Sequence, residues 1–139
     1  MTNTSNHVLY ILMRSDMISL NAGKAMAQAA HAANLAEYKL AKTKHWKEWK
    51  EQAKLQGFGT TIVLKVDGIK DLHDIINDAY PYVGDYCIGV VKDETYPVRD
   101  GNVTHLLPVE TCGYVFCAQE FLPALKTECE SFAKLELYP

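Results

Sequence analysis

Val8-Leu9-Tyr10-Ile11-Leu12-Met13, a loop, and then Gly23-Lys24-Ala25-Met26-Ala27-Gln28-Ala29-Ala30-His31-Ala32 form the stretch whose reading decides the fold. The first run is apolar without interruption, and a run this short fits a strand buried on both faces better than a helix. From Gly23 to Ala41 the chain is rich in alanine, the residue with the highest helix propensity. Asn21, just before it, is placed to cap a helix with its side-chain oxygen. A buried strand that feeds a long helix through a short loop is the start of an α/β fold.

Working outward, the helix continues, or breaks and restarts, through Trp46 and Trp49 to about Lys54. Gly57 and Gly59 punctuate the chain, and Thr60-Thr61-Ile62-Val63-Leu64-Lys65-Val66 reads as a β-branched second strand. Ile69, Leu72, Ile75 and Ile76 recur at helical spacing, with Asp71 and Asp74 on the opposite side, which predicts an amphipathic helix over Ile69–Ala79. Pro81 then acts as a breaker. A third strand is expected over Tyr86–Val91 and a fourth over Thr111–Ala118, with Glu94–Leu107 between them as a hairpin turning at Asp100-Gly101. A last helix is expected from Phe121 to Lys134, with Pro123 tolerated in its first turn. The alternation predicts a three-layer α/β/α domain spanning residues 1–139, with a mixed, mostly parallel four-stranded sheet and right-handed crossovers.

Composition sets the outer limits. A chain of 139 residues buries about two thirds of its unfolded surface on folding, and 48% hydrophobic with 22% charged residues excludes disordered and collagen-like classes. A net charge of -3 argues against an extended basic groove, so any nucleic-acid contact is local. Cys87, Cys112, Cys117 and Cys129 form no C-x-x-C pair and no clustered Cys/His spacing, so neither a zinc site nor another bound metal is expected and a reducing compartment is the simplest reading. Met1–His7 lacks the basic start and apolar core of a signal peptide. No apolar run approaches the roughly 20 residues of a membrane span. A cytoplasmic protein without membrane attachment or cofactor is expected.

On the first helix, Lys24, Gln28, His31 and Leu35 are spaced four, three and four apart and therefore share one face. The three polar members begin at the helix N-terminus, where free N–H groups and the dipole favour anions. Such a stripe is either the solvent face of an alanine helix or a functional row. The small and apolar character of the other faces favours the second.

The apolar strand ending in Arg14-Ser15-Asp16, with Gly23-Lys24-Ala25-Met26-Ala27-Gln28-Ala29-Ala30-His31-Ala32, resembles the N-terminal signature of the type 2 peptidyl-tRNA hydrolases: a strand ending Arg-x-Asp, then Gly-Lys-x-x-Ala-Gln-x-x-His-Ala. The similarity extends, more weakly, to about Ala118. It implies a cytoplasmic, metal-independent carboxylic ester hydrolase that frees tRNA from peptidyl-tRNA, or from an N-blocked aminoacyl-tRNA, and a homodimer to which exposed tryptophans would contribute. A second family signature resembles Arg-Asp-x-Gly-x-Thr-x-x-x-Pro, whose Asp and Thr belong to the catalytic site. Position in the fold places it at Lys92-Asp93, after the strand ending at Val91. Local spelling places it at Arg99-Asp100, with Gly101, Thr104 and Pro108. Asp93 is preferred, because a strand end is a rigid place for a site and Asp100-Gly101 already serves as a turn.

With no Ser or Cys triad apparent, Cys112 and Cys117 read as core residues. Ester hydrolysis then needs a positioned water, a base and an oxyanion partner. On these residues, Asp93, acting alone or through His31, would orient or deprotonate the water, Lys24 would offer positive charge to the oxyanion or a nearby phosphate, and Gln28 and Thr104 would position the ester. His31 has a second reading as a buried histidine bonded to backbone. Lys39, Lys42, Lys44, Lys47, Lys50 and Lys54, interleaved with Trp46 and Trp49, form either a tRNA-backbone contact, with Lys44 and Lys47 at its centre, or an ordinary solvated helix end whose tryptophans pack on the body. The competing function is a non-catalytic RNA- or protein-binding module on the same fold, and a third reading is a related hydrolase acting on another acyl or RNA substrate.

Overall fold

A computed structural model describes residues 6–52 and 56–139. Strand β1 spans Val8–Arg14, and helix α1 spans Ala22–Leu40. Asn21 caps α1 as its position predicts, its side-chain oxygen accepting from the Lys24 N–H at 3.0 Å. The helix ends and restarts as α2, Lys44–Glu51, because Thr43 takes an extended conformation and caps the new helix through the Trp46 N–H. The expected continuation to Lys54 lies outside the described residues.

Strand β2 covers Thr60–Val66 and helix α3 covers Ile69–Val83. Pro81 does not end α3 where the sequence suggested. It falls in the final turn, and the Gly84 N–H closes the helix on the Tyr80 carbonyl. Strands β3, Ile88–Asp100, and β4, Val103–Cys117, are much longer than expected and form a hairpin that turns through Gly101-Asn102, where Gly101 has φ 60°. The single last helix is broken. A 3-10 turn, Gln119–Phe121, leads into α4, Leu122–Thr127, and then α5, Glu130–Ala133.

The sheet order is β2-β1-β4-β3. Its β1–β2 pair is parallel, while β1–β4 and β3–β4 are antiparallel. The sheet is therefore mixed but not mostly parallel. A hairpin forces β3 and β4 to oppose each other, and β4 is the member that docks on β1. Alternate residues of β1 serve two cores. Leu9, Ile11 and Met13 pack with α1, Trp46, Trp49 and Phe116, while Val8, Tyr10 and Leu12 pack with α3, Leu125 and Phe132. This explains the uninterrupted apolar run in β1: a strand with helices against both faces has no side on which polar residues gain solvent.

Trp46 and Trp49 are buried and stack with ring centroids 4.4 Å apart, and both rings also meet Phe116 edge-on. Their indole N–H groups donate to the Glu37 carboxylate and the Thr60 carbonyl. The expectation of exposed tryptophans at a dimer interface is thus overturned, since these rings anchor α2 to the body. No helix among the described residues is long and apolar enough to cross a membrane.

Candidate active site

Two β-bulges shape the wall opposite the polar stripe of α1. Val91 lies opposite Cys112, but its neighbour Lys92 lies opposite Glu110, so Thr111 is an extra residue on β4. Asp93 lies opposite Val109 and Tyr96 opposite Leu107, so one extra residue on β3 falls between them. Side chains alternate along a regular strand, and an inserted residue re-aims those beside it. Thr111 and Cys112, although consecutive, both face α1: the Thr111 hydroxyl donates to Gln28 Oε1 at 2.7 Å, and the Cys112 thiol donates to the Gln28 carbonyl at 3.4 Å. Likewise Asp93 and Tyr96, three apart, both reach α1.

Gln28 joins the two walls. Its side chain is buried, with only 3% of the residue exposed. Its carbonyl end is committed to Thr111, so its amide end donates to Asp93 Oδ2 at 2.7 Å. The other carboxylate oxygen, Oδ1, accepts from the Thr95 N–H at 3.0 Å and from the Thr95 hydroxyl at 3.4 Å. The hydrogen bond from Gln28 is the largest influence that holds the Asp93 carboxyl below the usual carboxylate range, while desolvation opposes it and Thr95 and His31 add to the lowering. The carboxylate is thus ionised, aimed, and still open at one edge of the site.

Lys24, one turn before Gln28, donates from Nζ to the Pro97 carbonyl at 2.8 Å, with the Tyr96 ring centroid 5.1 Å away. An ammonium carries three donors, so two remain beyond Pro97. Tyr96 is itself buried and meets Ser19 through its hydroxyl at 3.1 Å. His31, one turn beyond Gln28, has Nε2 at 3.9 Å from Asp93 Oδ2 and a side chain 52% exposed. That spacing is longer than a direct hydrogen bond, and the exposure excludes the reading of His31 as a buried, backbone-bonded histidine. The α1 stripe and the β3 wall therefore run side by side, Lys24 against Pro97 and Gln28 with His31 against Asp93.

Thr104 is not part of this group. It pairs with Arg99 near the tip of the hairpin and is exposed. Five residues separate it from Val109, the partner of Asp93, which at roughly 3.4 Å per residue is about 17 Å along β4. Asp100 is exposed beside the turn. The hydroxyl that the structure brings to Gln28 is Thr111, which the sequence did not single out. The available signal was a buried polar residue opening an otherwise apolar strand; which way it pointed depended on a bulge. Lys44 and Lys47 are exposed on α2, away from the stripe, whereas Lys50 pairs with Glu37 at 2.7 Å.

Cys112 and Cys117 are buried in the two cores, and burial pushes their thiols up to about 11 and about 12. Neither has the lowered value that a thiolate nucleophile requires. Among the described residues one cluster elsewhere gathers metal-ligand types: His7, His45 and Glu48 have ligand atoms within 4.8 Å of one another. His7 is poorly suited to a metal, because its Nδ1 accepts the Gln119 N–H at 2.8 Å and the ring proton must therefore sit on Nε2, directed at Glu48 at 3.0 Å. A ligating histidine ordinarily donates through its second nitrogen. The cluster instead reads as a hydrogen-bonded clasp, extended by His45 to Glu120 at 2.9 Å.

A lysine, a buried glutamine and a held carboxylate thus meet on one seam between α1 and the β3–β4 hairpin of a mixed sheet. Residues 7–97 match the family described as Peptidyl-tRNA hydrolase PTH2, and because this is well over half of the chain, the chain belongs to that family. No curated protein matches it in a sequence comparison. The matched span contains Lys24, Gln28, His31 and Asp93 and ends before Thr104 and Thr111. With the second signature placed at Asp93, its glycine and threonine positions hold Thr95 and Pro97. The chain thus has no side-chain hydroxyl at that threonine position, where the Pro97 backbone carbonyl accepts from Lys24.

Proposed function

We propose that the chain is a metal-independent peptidyl-tRNA hydrolase that cleaves the ester between a blocked aminoacyl group and the tRNA ribose, using Lys24, Gln28, His31, Asp93 and Thr111. The observation that carries this reading is Gln28, a buried amide with both ends committed, which fixes an ionised carboxylate beside an exposed imidazole. Family membership supports the reaction class.

In this reading a water enters at the open edge between His31 and Asp93. Asp93 orients it by accepting one of its hydrogens, since a carboxylate held low is a better orienter than base. The water oxygen attacks the ester carbonyl carbon, and its proton passes to His31. Lys24, with two donors free beyond Pro97, faces the oxygen on which negative charge develops. The carbon–oxygen bond to the ribose then breaks, and the proton on His31 goes to the departing ribose oxygen. One water is consumed and the products are a free peptide acid and tRNA. Residues 1–139 act as one domain in the cytoplasm, as a homodimer that does not use Trp46 or Trp49, with Lys44 and Lys47 touching the tRNA backbone.

The test is release of tRNA from an N-acetylated aminoacyl-tRNA by purified protein in the presence of a chelator. Turnover is expected to survive chelation and to fall on the order of 100-fold or more in Lys24→Ala, the scale of losing one oxyanion donor. Turnover abolished by chelator, or unchanged in Lys24→Ala, would remove the mechanism. Binding of the same tRNA without any cleavage would instead establish the non-catalytic module.

A further inference from the structure

The β1–β4 ladder ends at Met13 opposite Cys112, just where the bulge begins. One residue further, Arg14 turns its side chain back onto β4. Its Nη1 donates to the Glu110 carbonyl at 2.9 Å, while Nε and Nη2 form a two-pronged pair with the Asp16 carboxylate at 2.9 and 2.8 Å. Only 13% of the Arg14 side chain is exposed. The β1–β4 ladder stops before Glu110, and a partly buried carbonyl without a donor is costly. The guanidinium supplies that donor, and Asp16 fixes the plane from which it is supplied.

We propose that Arg14, held by Asp16, is a positioning residue of the candidate site: by pinning the Glu110 carbonyl it fixes the bulged Thr111, and through Thr111 and Gln28 it fixes the orientation of Asp93. The path is continuous, from Glu110 to its neighbour Thr111, to Gln28 Oε1 at 2.7 Å, and from Gln28 Nε2 to Asp93 at 2.7 Å. A surface ion pair would need only the fork with Asp16. The third donor is spent on the strand that carries Thr111. Lysine cannot replace Arg14, because one ammonium has no rigid fork with which to hold Asp16 and the carbonyl together.

The test follows the titration of the Asp93 carboxyl by carbon-13 NMR, which does not depend on any activity, together with hydrolysis of N-acetylated aminoacyl-tRNA. Arg14→Met and Asp16→Asn are each expected to raise the Asp93 midpoint and to lower kcat about tenfold, the scale of one charged hydrogen bond, with KM little changed. Arg14→Lys is expected to match Arg14→Met. In Thr111→Val the midpoint rises, and adding Arg14→Met to it gives no further rise, since both act along one path. If Arg14→Met does not fold, Asp16→Asn decides. An unmoved Asp93 midpoint in Asp16→Asn or Thr111→Val, or additive shifts in the double variant, would overturn the positioning role. This inference deepens the hydrolase reading, yet the two fail separately. Absence of cleavage in every protein, including the parent, removes the hydrolase, while the titrations still decide the path.

Discussion

At the residue scale, the site depends on how Asp93 is held. Gln28 points its amide at Oδ2 because its carbonyl end is already taken by Thr111, and Thr95 occupies Oδ1. A folded-state value depressed in this way contributes stability that is fully present above the unfolded value of about 3.9 and is lost as pH falls through the lowered folded one. Asp16, held low chiefly by Arg14, and Glu37, held low chiefly by Lys50, act with the same sign. The fold should therefore weaken on acidification below about pH 4, and Asp93→Asn should flatten that decline in a series of thermal melts. Removing the amide in Gln28→Ala should move the Asp93 titration midpoint upward. A midpoint unchanged in that variant would mean that the Gln28 bond does not govern the carboxylate.

At the scale of elements, the seam between α1 and the β3–β4 hairpin was half legible. Asn21 as a cap, the stripe at Lys24, Gln28 and His31, and β2 over Thr60–Val66 follow from spacing and propensity, which are local. The two bulges do not, because a bulge is defined by the register of one strand on another. Without the bulge at Thr111 that side chain would face away from Gln28, and Thr104, expected from the family spelling and from a hairpin folding back toward Asp93, lies instead near the hairpin tip. Close packing on the other side of the hairpin makes a separate prediction. A Cβ added at Gly113 would come within 2.6 Å of the Gly89 carbonyl oxygen and 2.5 Å of Ile76 Cδ1. Gly113→Ala should cost about 1–3 kcal/mol in denaturant unfolding, as overpacking does. A wild-type midpoint and slope would show that the strands separate there more easily than their contacts imply.

At the scale of the whole molecule, β1 is legible in the sequence because it packs against helices on both faces, whereas the strand order is not. Nothing local records that β4 rather than β3 lies against β1. The last residues add to the frame: the Lys65 N–H donates to the Glu136 carbonyl and the Tyr138 N–H to the Val63 carbonyl, so the C-terminal segment covers part of the outer edge of β2. The burial of Trp46 and Trp49 removes their rings from any tRNA contact on α2, whose exposed cations are Lys44 and Lys47. With a net charge of -3, such contact is local, and Lys44→Ala with Lys47→Ala should weaken tRNA binding and flatten its decline with salt by about one to two phosphate contacts. An unchanged salt slope would move the tRNA footprint off α2. The most direct measurement of the central claim is the single-turnover rate of ester cleavage on N-acetylated aminoacyl-tRNA in Asp93→Ala beside Asp100→Ala. Asp93→Ala is expected to lose on the order of 100-fold, the scale of other site deletions, with Asp100→Ala close to the parent; full activity in Asp93→Ala, or a loss falling on Asp100→Ala instead, would rule Asp93 out as the functional carboxylate.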